Sequence, residues 1–251
     1  MNKRFIAFSC THCPEHDPAA IAFLIDKIRE YKPDIIVHLG DGIEADSASR
    51  WDSETEYVLE TEFKTFSAIL NQIRLAGDGA ECVFLEGNHD ANLLEIGRID
   101  KGFRSLCDWR RISNIPEMEF WQTPTSYDYD YYRGAYRIGQ VTFAHGYTCG
   151  ASAGKFEAMD FCREFGLYIH GHTHRPHEVK QVMMTQTRPI NWWYANAGTL
   201  GRLNPGFMTR KRKSLWGQAI VIGEASDTKS PRTKRHWDAH VDIFRMNGFM
   251  G

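Results

Sequence analysis

Residue types that bind metal ions or move protons fall in five short groups along this chain: Cys10-Thr11-His12, Gly40-Asp41, Gly87-Asn88-His89-Asp90, His145-Gly146 and Gly171-His172-Thr173-His174. Imidazole, carboxylate, thiolate and carboxamide oxygen all suit first-row dications. A carboxylate such as Asp41 can bridge two ions. Two ions about 3.5–4 Å apart clamp the attacking and leaving oxygens of a phosphoryl displacement. Two other readings start from Cys10-Thr-His-Cys13. A thioredoxin-like redox pair needs a helix starting at its first cysteine, but Pro14 and Pro18 place the helix later. A zinc knuckle needs a second Cys/His pair, and Cys82, Cys107, Cys149 and Cys162 form no C-x-x-C.

Each group follows a segment that reads as a strand. Phe5–Phe8 is a short apolar run entering the polar 9–17 loop. Asp34–Leu39 is a second buried strand ending at Gly40-Asp41-Gly42, and Glu81–Glu86 is a third, ending at Gly87. Between them, residues 18–31 have helical spacing (Ile21, Leu24, Ile25, Ile28) with Pro18 as an early helical residue, and residues 54–75 form a second helical pattern. The β-α-β-α-β order predicts an α/β layered sheet. Further on, residues 136–138 and 141–144 read as a hairpin running into His145, residues 153–165 as a helix stopped by Gly166, and Leu167–His170 as a strand ending at Gly171. The remainder is strand-like. Open α/β sheets build their sites at the carboxyl ends of strands, so the five groups are expected to meet in one crevice.

This ordered set of strand-end motifs resembles the calcineurin-like metallophosphoesterase family, over residues 5 to about 200 and including Asn196-Ala-Gly-Thr199, which resembles that family's small-residue turn. The resemblance implies a four-layer α/β/β/α sandwich of two mixed β-sheets, with residues 1–251 as one domain and a basic, strand-rich part from about 202. It implies two divalent ions (Mn, Zn or Fe), one held by Cys10, His12, Asp41 and His174, the other by Asp41, Asn88, His145 and His172. A hydroxide between the ions would be the nucleophile. Asn88 and His89 would contact the substrate, with His89 protonating the leaving oxygen or stabilising the phosphate and Asp90 orienting its ring. Cys10 stands where the family has Asp. A thiolate keeps the charge but is a softer ligand, favouring Zn or Fe over Mg, Ca and Mn, and it exposes the site to oxidation.

Other features have plainer readings beside sharper ones. His16, His38, His170, His177, His236 and His240 fit no group and are expected as core or surface histidines. Gly150-Ala-Ser152-Ala-Gly154 matches a serine-hydrolase elbow, but His145-Gly-Tyr-Thr-Cys149 stands between the strand and its Gly150, whereas an elbow needs the strand to run straight into the serine turn. Lys155, near a helix N-terminus, is able to attract a phosphate. Acidic residues crowd positions 44–62, Glu44 among them, and are expected as a solvated helix face. Residues 202–236 carry nine basic and two acidic side chains, a net of +7, with Trp192, Trp193, Tyr194, Trp216 and Trp237 nearby. Such a segment suits a polyanion, single-stranded nucleic acid in particular, or serves solubility alone. Tyr127, Tyr129, Tyr131 and Tyr132 are expected to pack under a loop.

The 251 residues, 42% apolar and 25% charged with a net charge of −2, describe an ordinary globular chain. Six cysteines are too sparse for a disulfide scaffold, Lys3-Arg4 precedes only four apolar residues, and no run approaches a membrane span. The expected setting is reducing and cytoplasmic. The expected function is a phosphoesterase, with a phosphodiester of a nucleotide or nucleic acid favoured by the basic segment. A phosphomonoesterase, a polyanion-binding protein with a structural metal site, and a Ser152 hydrolase are the competing readings.

Overall fold

The computed structural model describes residues 2–45, 58–131, 133–150, 152–162, 165–184, 189–204, 215–226 and 237–246. Two five-stranded sheets form its centre. The first has the order β10-β9-β1-β2-β3, with β1 (Asn2–Phe8), β2 (Ile35–His38) and β3 (Glu81–Phe84) parallel, β9 (Gly217–Ser226) antiparallel to β1, and β10 (Trp237–Met246) antiparallel to β9. The second has the order β4-β5-β6-β8-β7. In it β5 (Val141–Phe143), β6 (Phe165–His170) and β8 (Pro189–Asn196) are parallel, and β4 (Tyr136–Ile138) and β7 (His177–Met184) are antiparallel edges.

The alternation of strand side chains explains the layering. Phe5, Ala7, Ile35, Val37, Val83 and Val221 point inward and pack against Val141, Phe143, Leu167 and Ile169 of the facing sheet. Their neighbours Ile6, Phe8, Ile36 and Phe84 point outward onto α1 (Pro18–Tyr31) and α2 (Leu59–Gly77). Both strand faces are therefore buried, which is why these strands read as continuous apolar runs. Helix α1 presents Ala20, Ile21, Leu24 and Ile28, and α2 presents Phe63, Phe66, Ile69, Leu70 and Ile73, each at three- to four-residue spacing. The other outer face, with Tyr168 and Tyr194, is covered by α5 (Lys155–Cys162) through Ala158 and Cys162. The expected four-layer α/β/β/α sandwich is the observed architecture. Strands β9 and β10, from the basic C-terminal part, extend the first sheet next to β1.

Several sequence expectations are corrected. Gly166 is a residue of β6 and does not stop a helix; α5 ends at Cys162. Three helical elements were not expected: α3 (Asn88–Ile99), α4 (Arg104–Cys107) and a 3-10 turn over Pro116–Phe120. Pro18 does occupy the first turn of α1, where Asp17 caps the helix by accepting a hydrogen bond from the Ala19 N–H (2.9 Å). The start of the second helical pattern, at 54–57, lies outside the described residues, as does every cation of the basic segment except Arg202. Among the described residues no helix is long and apolar enough to cross a membrane.

Candidate metal centre

Strand pairing continues past the strand ends and brings the first two groups together. The N–H groups of Cys10, His12 and Cys13 donate to the carbonyls of Gly40, Asp41 and Gly42, each at 3.0 Å. Thr11 and His38 brace the same two loops. The Thr11 hydroxyl donates to the Gly42 carbonyl (2.9 Å) and lies 3.1 Å from Nε2 of His38, whose Nδ1 accepts the Gly40 N–H (3.1 Å). Since the hydroxyl proton is spent on Gly42, His38 donates from Nε2. The third group enters through Asp90, the N3 residue of α3. Its carboxylate accepts the N–H groups of Gly87 (2.8 Å), Asp41 (2.8 Å) and Gly42 (3.1 Å). Gly87 is required here, because a Cβ would lie 2.2 Å from Asp41 Oδ1 and 2.4 Å from the Asp41 nitrogen.

The second sheet supplies the remaining groups. Nδ1 of His145 lies 2.9 Å from the Leu39 carbonyl, an acceptor that requires Nδ1–H and turns Nε2 towards the cluster. That Nε2 is 3.0 Å from Asn88 Oδ1, 3.1 Å from Asp41 Oδ2 and 3.2 Å from His172 Nδ1. Nε2 of His12 is 3.1 Å from Nε2 of His174 and 3.8 Å from Asp41 Oδ2. Donor atoms of Cys10, His12 and His174 lie within 4.8 Å of one another, and so do those of Cys10, Asp41 and His145. The 196–201 segment closes the floor: Thr199 Oγ1 donates to the Cys10 carbonyl (2.8 Å) and Asn196 Nδ2 to the Gly171 carbonyl (2.6 Å). All seven candidate ligands are thus gathered at five strand ends, in two sets that meet at Asp41.

Five of the seven have left-handed backbones: Cys10 (φ 58°), His12 (46°), Asp41 (54°), His172 (64°) and His174 (57°). Non-glycine residues rarely take this conformation and are found there mainly in tight turns and at functional sites. Here it lets alternate residues of a short loop aim at one point.

The electrostatics suit a cation. Burial would raise the Asp41 carboxyl, but His145 and His89 outweigh it and hold the acid well below its ordinary range. Burial, and then His145, lower His172 to about 4; burial and His12 lower His174 well below its ordinary value. Ionised carboxylate and neutral imidazole are the forms a dication binds. Burial and Asp41 hold the Cys10 thiol protonated well above its usual range, so use of this sulfur as a ligand releases a proton. The N···N separations of 3.1 and 3.2 Å fit the edge of a coordination shell with bonds of about 2.0–2.1 Å. The donor set therefore fits a pair of divalent ions.

The proton-transfer candidates need one correction. Asp90 does not orient His89; its oxygens are taken by the three backbone N–H groups. The His89 ring is set by the carbonyl of Glu44, 2.5 Å from Nδ1. Burial would lower His89, but Asp41 and Glu44 raise it to about 9, so the ring is a cation at neutral pH. Lys155 opens α5 with its ammonium 6.0 Å from the Phe156 ring centre, and no hydrogen bond or ion pair ties it to the cluster. Ser152 is exposed in a turn nine residues past β5, away from any elbow geometry. Cys10 and Cys13 are buried free thiols, with no disulfide among the described cysteines. Of the four tyrosines expected to pack under a loop, Tyr127 does so, stacked on Tyr147 with centroids 5.2 Å apart, but Tyr129 and Tyr131 are exposed, and Tyr132 lies outside the described residues. Three neighbours of the centre escaped the sequence reading: Glu44, whose carboxylate lies 2.9 Å from His12 Nδ1; Cys149, whose sulfur lies 2.9 Å from His172 Nε2; and Trp216, whose ring sits edge-on to His174 at 4.3 Å. Cys149 and Trp216 occupy no motif position, so only the fold reveals them; Glu44 stands three residues after Asp41, where a G-D-x-x-D/N-like group would place its second polar residue, and that spacing is the signal the sequence offered.

The sequence profile of the calcineurin-like phosphoesterases matches residues 3–176, and the chain belongs to that family. It is 34% identical over 95 residues to the Gene 54 protein of Mycobacterium phage L5 and spans about a third (37%) of that relative's length, using 36% of its own. A solved structure of Yfce, a phosphoesterase from E. coli, superposes with a TM-score of 0.42 and 12% identity, covering 90% of this chain and 93% of that one.

Proposed function

We propose that this protein hydrolyses a phosphodiester, of a nucleotide or a nucleic acid, with two divalent ions held between the sheets. One observation carries the metal-dependent reading: seven donor side chains from five strand ends form two sets that share Asp41. Cys10, His12, Asp41 and His174 would hold one ion, and Asp41, Asn88, His145 and His172 the other. A bound pair of dications supplies Lewis acidity and makes a nucleophile available from water near neutral pH.

The chain's own residues supply the rest. His89 has Nδ1 committed to the Glu44 carbonyl. Its Nε2 is therefore the nitrogen left to face the leaving oxygen, and a proton carried there would pass to that oxygen. Asp90 clamps the Asp41 and Asn88 loops and fixes the distance between the two sets. Lys155 is left without a role in this reading. The diester preference is supported by the net charge of +7 over residues 202–236.

The test compares bis-p-nitrophenyl phosphate with p-nitrophenyl phosphate, using protein stripped by chelator and reloaded with Mn, Zn or Fe under anaerobic, reducing conditions. Metal-dependent turnover that favours the diester is expected, and His89→Asn should lose it while metal uptake is retained. Preference for the monoester would make the protein a phosphomonoesterase. Background rates in folded, metal-loaded protein, together with salt-dependent nucleic-acid binding, would make it a binding protein.

A further inference from the structure

We propose that Glu44 is a positioning residue that sets two histidines of the centre at once: its carboxylate selects the nitrogen that His12 turns towards the metal, and its main-chain carbonyl fixes the ring of His89. The inference rests on the reading of the cluster as a metal centre and adds a residue outside the donor set.

Glu44 lies three residues past Asp41, on a loop anchored by its own N–H to the Cys13 carbonyl (3.1 Å). Its Oε2 is 2.9 Å from Nδ1 of His12, off the N–H axis, so the carboxylate acts on this nitrogen by its charge more than through an aligned hydrogen bond. An anion at Nδ1 favours the proton on that nitrogen and leaves Nε2, the atom facing His174 and Asp41, as the lone pair. Carboxylates that back metal-ligating imidazoles act in this way, and their loss typically weakens metal binding 10- to 100-fold. The carbonyl of the same residue meets His89 Nδ1 at 2.5 Å, and the two imidazoles lie edge to face with centroids 4.8 Å apart. The peptide plane carrying this carbonyl is pinned on its other side, because the Ala45 N–H donates to Oε2 of Glu62 (2.7 Å), a fully buried residue of α2. The side chain and the carbonyl of Glu44 are thus held independently. Side-chain substitutions should disturb His12 and spare His89.

The experiment has two readouts on the full chain. Long-range ¹H–¹⁵N spectra of the histidine rings in metal-free protein, in mildly alkaline buffer, report the tautomers. Zn²⁺ competition against a chromophoric chelator reports each metal equivalent. Glu44→Ala is expected to shift the His12 ring signals towards a tautomer mixture, to leave His89 in place, and to weaken one of the two zinc equivalents about 10- to 100-fold. Glu44→Gln keeps an acceptor oxygen without the charge and should fall between wild type and the alanine variant in both readouts. It also serves if the alanine variant folds poorly. Unchanged His12 signals with both zinc equivalents intact in Glu44→Ala would overturn the proposal, and so would a displacement of His89 equal to that of His12. If the wild-type protein takes up no zinc, the metal reading fails, and the metal-free ring spectra still decide the Glu44 assignment.

Discussion

Glu157 offers the sharpest quantitative test of how α5 supports the centre. It is fully buried. Its Oε1 accepts the Tyr147 N–H (3.1 Å), the Thr148 N–H (2.8 Å) and the Thr148 hydroxyl (2.6 Å), and its Oε2 accepts the Tyr168 hydroxyl (2.5 Å). Glu157→Leu leaves four donors without an acceptor. At roughly 1 kcal/mol each, the low end for a buried unsatisfied group, the loss is about 4 kcal/mol. Half-buried Thr148 regains water for part of this, so about 3 kcal/mol is expected. Glu157→Gln keeps one oxygen, which turned towards Tyr147 and Thr148 retains three of the bonds. Its amide then faces a Tyr168 hydroxyl that can reverse to accept, at a cost of about 1 kcal/mol. Urea unfolding measures both, as midpoint shifts at unchanged slope. Because the Tyr147–Thr148 turn follows His145 directly, the leucine variant should also lose metal affinity, and the glutamine variant should not. A leucine variant that loses less than about 1 kcal/mol, or no more than the glutamine variant, would refute the claim that this carboxylate anchors the turn.

Three further outcomes are expected. Cys10→Asp should move metal preference from Zn or Fe towards Mn and Mg and remove peroxide sensitivity, measured by metal analysis and activity before and after oxidation. Burial lowers His38 to about 3 in the folded protein. Below its ordinary value of about 6.5 the unfolded chain takes up a proton that folded His38 refuses, so stability is complete above that pH and falls below it by up to about 1.4 kcal/mol per unit. His38→Asn should remove that slope between about pH 6 and 4, as followed by urea midpoints. Gly171→Ala should destabilise by about 2 kcal/mol or more and lower metal uptake, because its Cβ would lie 1.8 Å from Ser9 Oγ, wedging the ends of β1 and β6 apart; a calorimetric melt within about a degree of wild type would contradict this.

How much of this was legible in the sequence follows from what each residue interacts with. Strands β1, β2 and β3 are buried on both faces, so Phe5–Phe8, Ile35–His38 and Glu81–Phe84 stand out as apolar runs, and the glycines after β2 and β3 mark where they stop. The ligand groups were legible because each sits in a short stretch after a strand. Helix α3 was not: Asn88 and His89 open it, and residues read for their chemistry hid the cap that Asp90 makes on the Gly87 N–H. The ring-setting role given to Asp90 assumed that neighbours in sequence are neighbours in space. In fact Asp90 turns back to residues 41 and 42, and His89 finds residue 44. Glu44 looked like one more charge in an acidic run, since its partner His12 lies 32 positions earlier. Gly166 looked like a helix stop because a glycine after a helical pattern has two meanings, and only the pairing of β6 with β8 separates them.

The left-handed twist shared by Cys10, His12, Asp41, His172 and His174 has a bearing on evolution and engineering alike. Each such residue costs the fold of the order of 1 kcal/mol or more, a cost that cation binding would offset, and uptake should raise the melting temperature by mass action. The twist also narrows what those positions tolerate. Asparagine, aspartate, histidine and glycine enter that region readily, whereas branched aliphatic side chains do not. A catalogue of tolerated substitutions at these five sites should therefore follow backbone curvature as closely as it follows affinity for the ions.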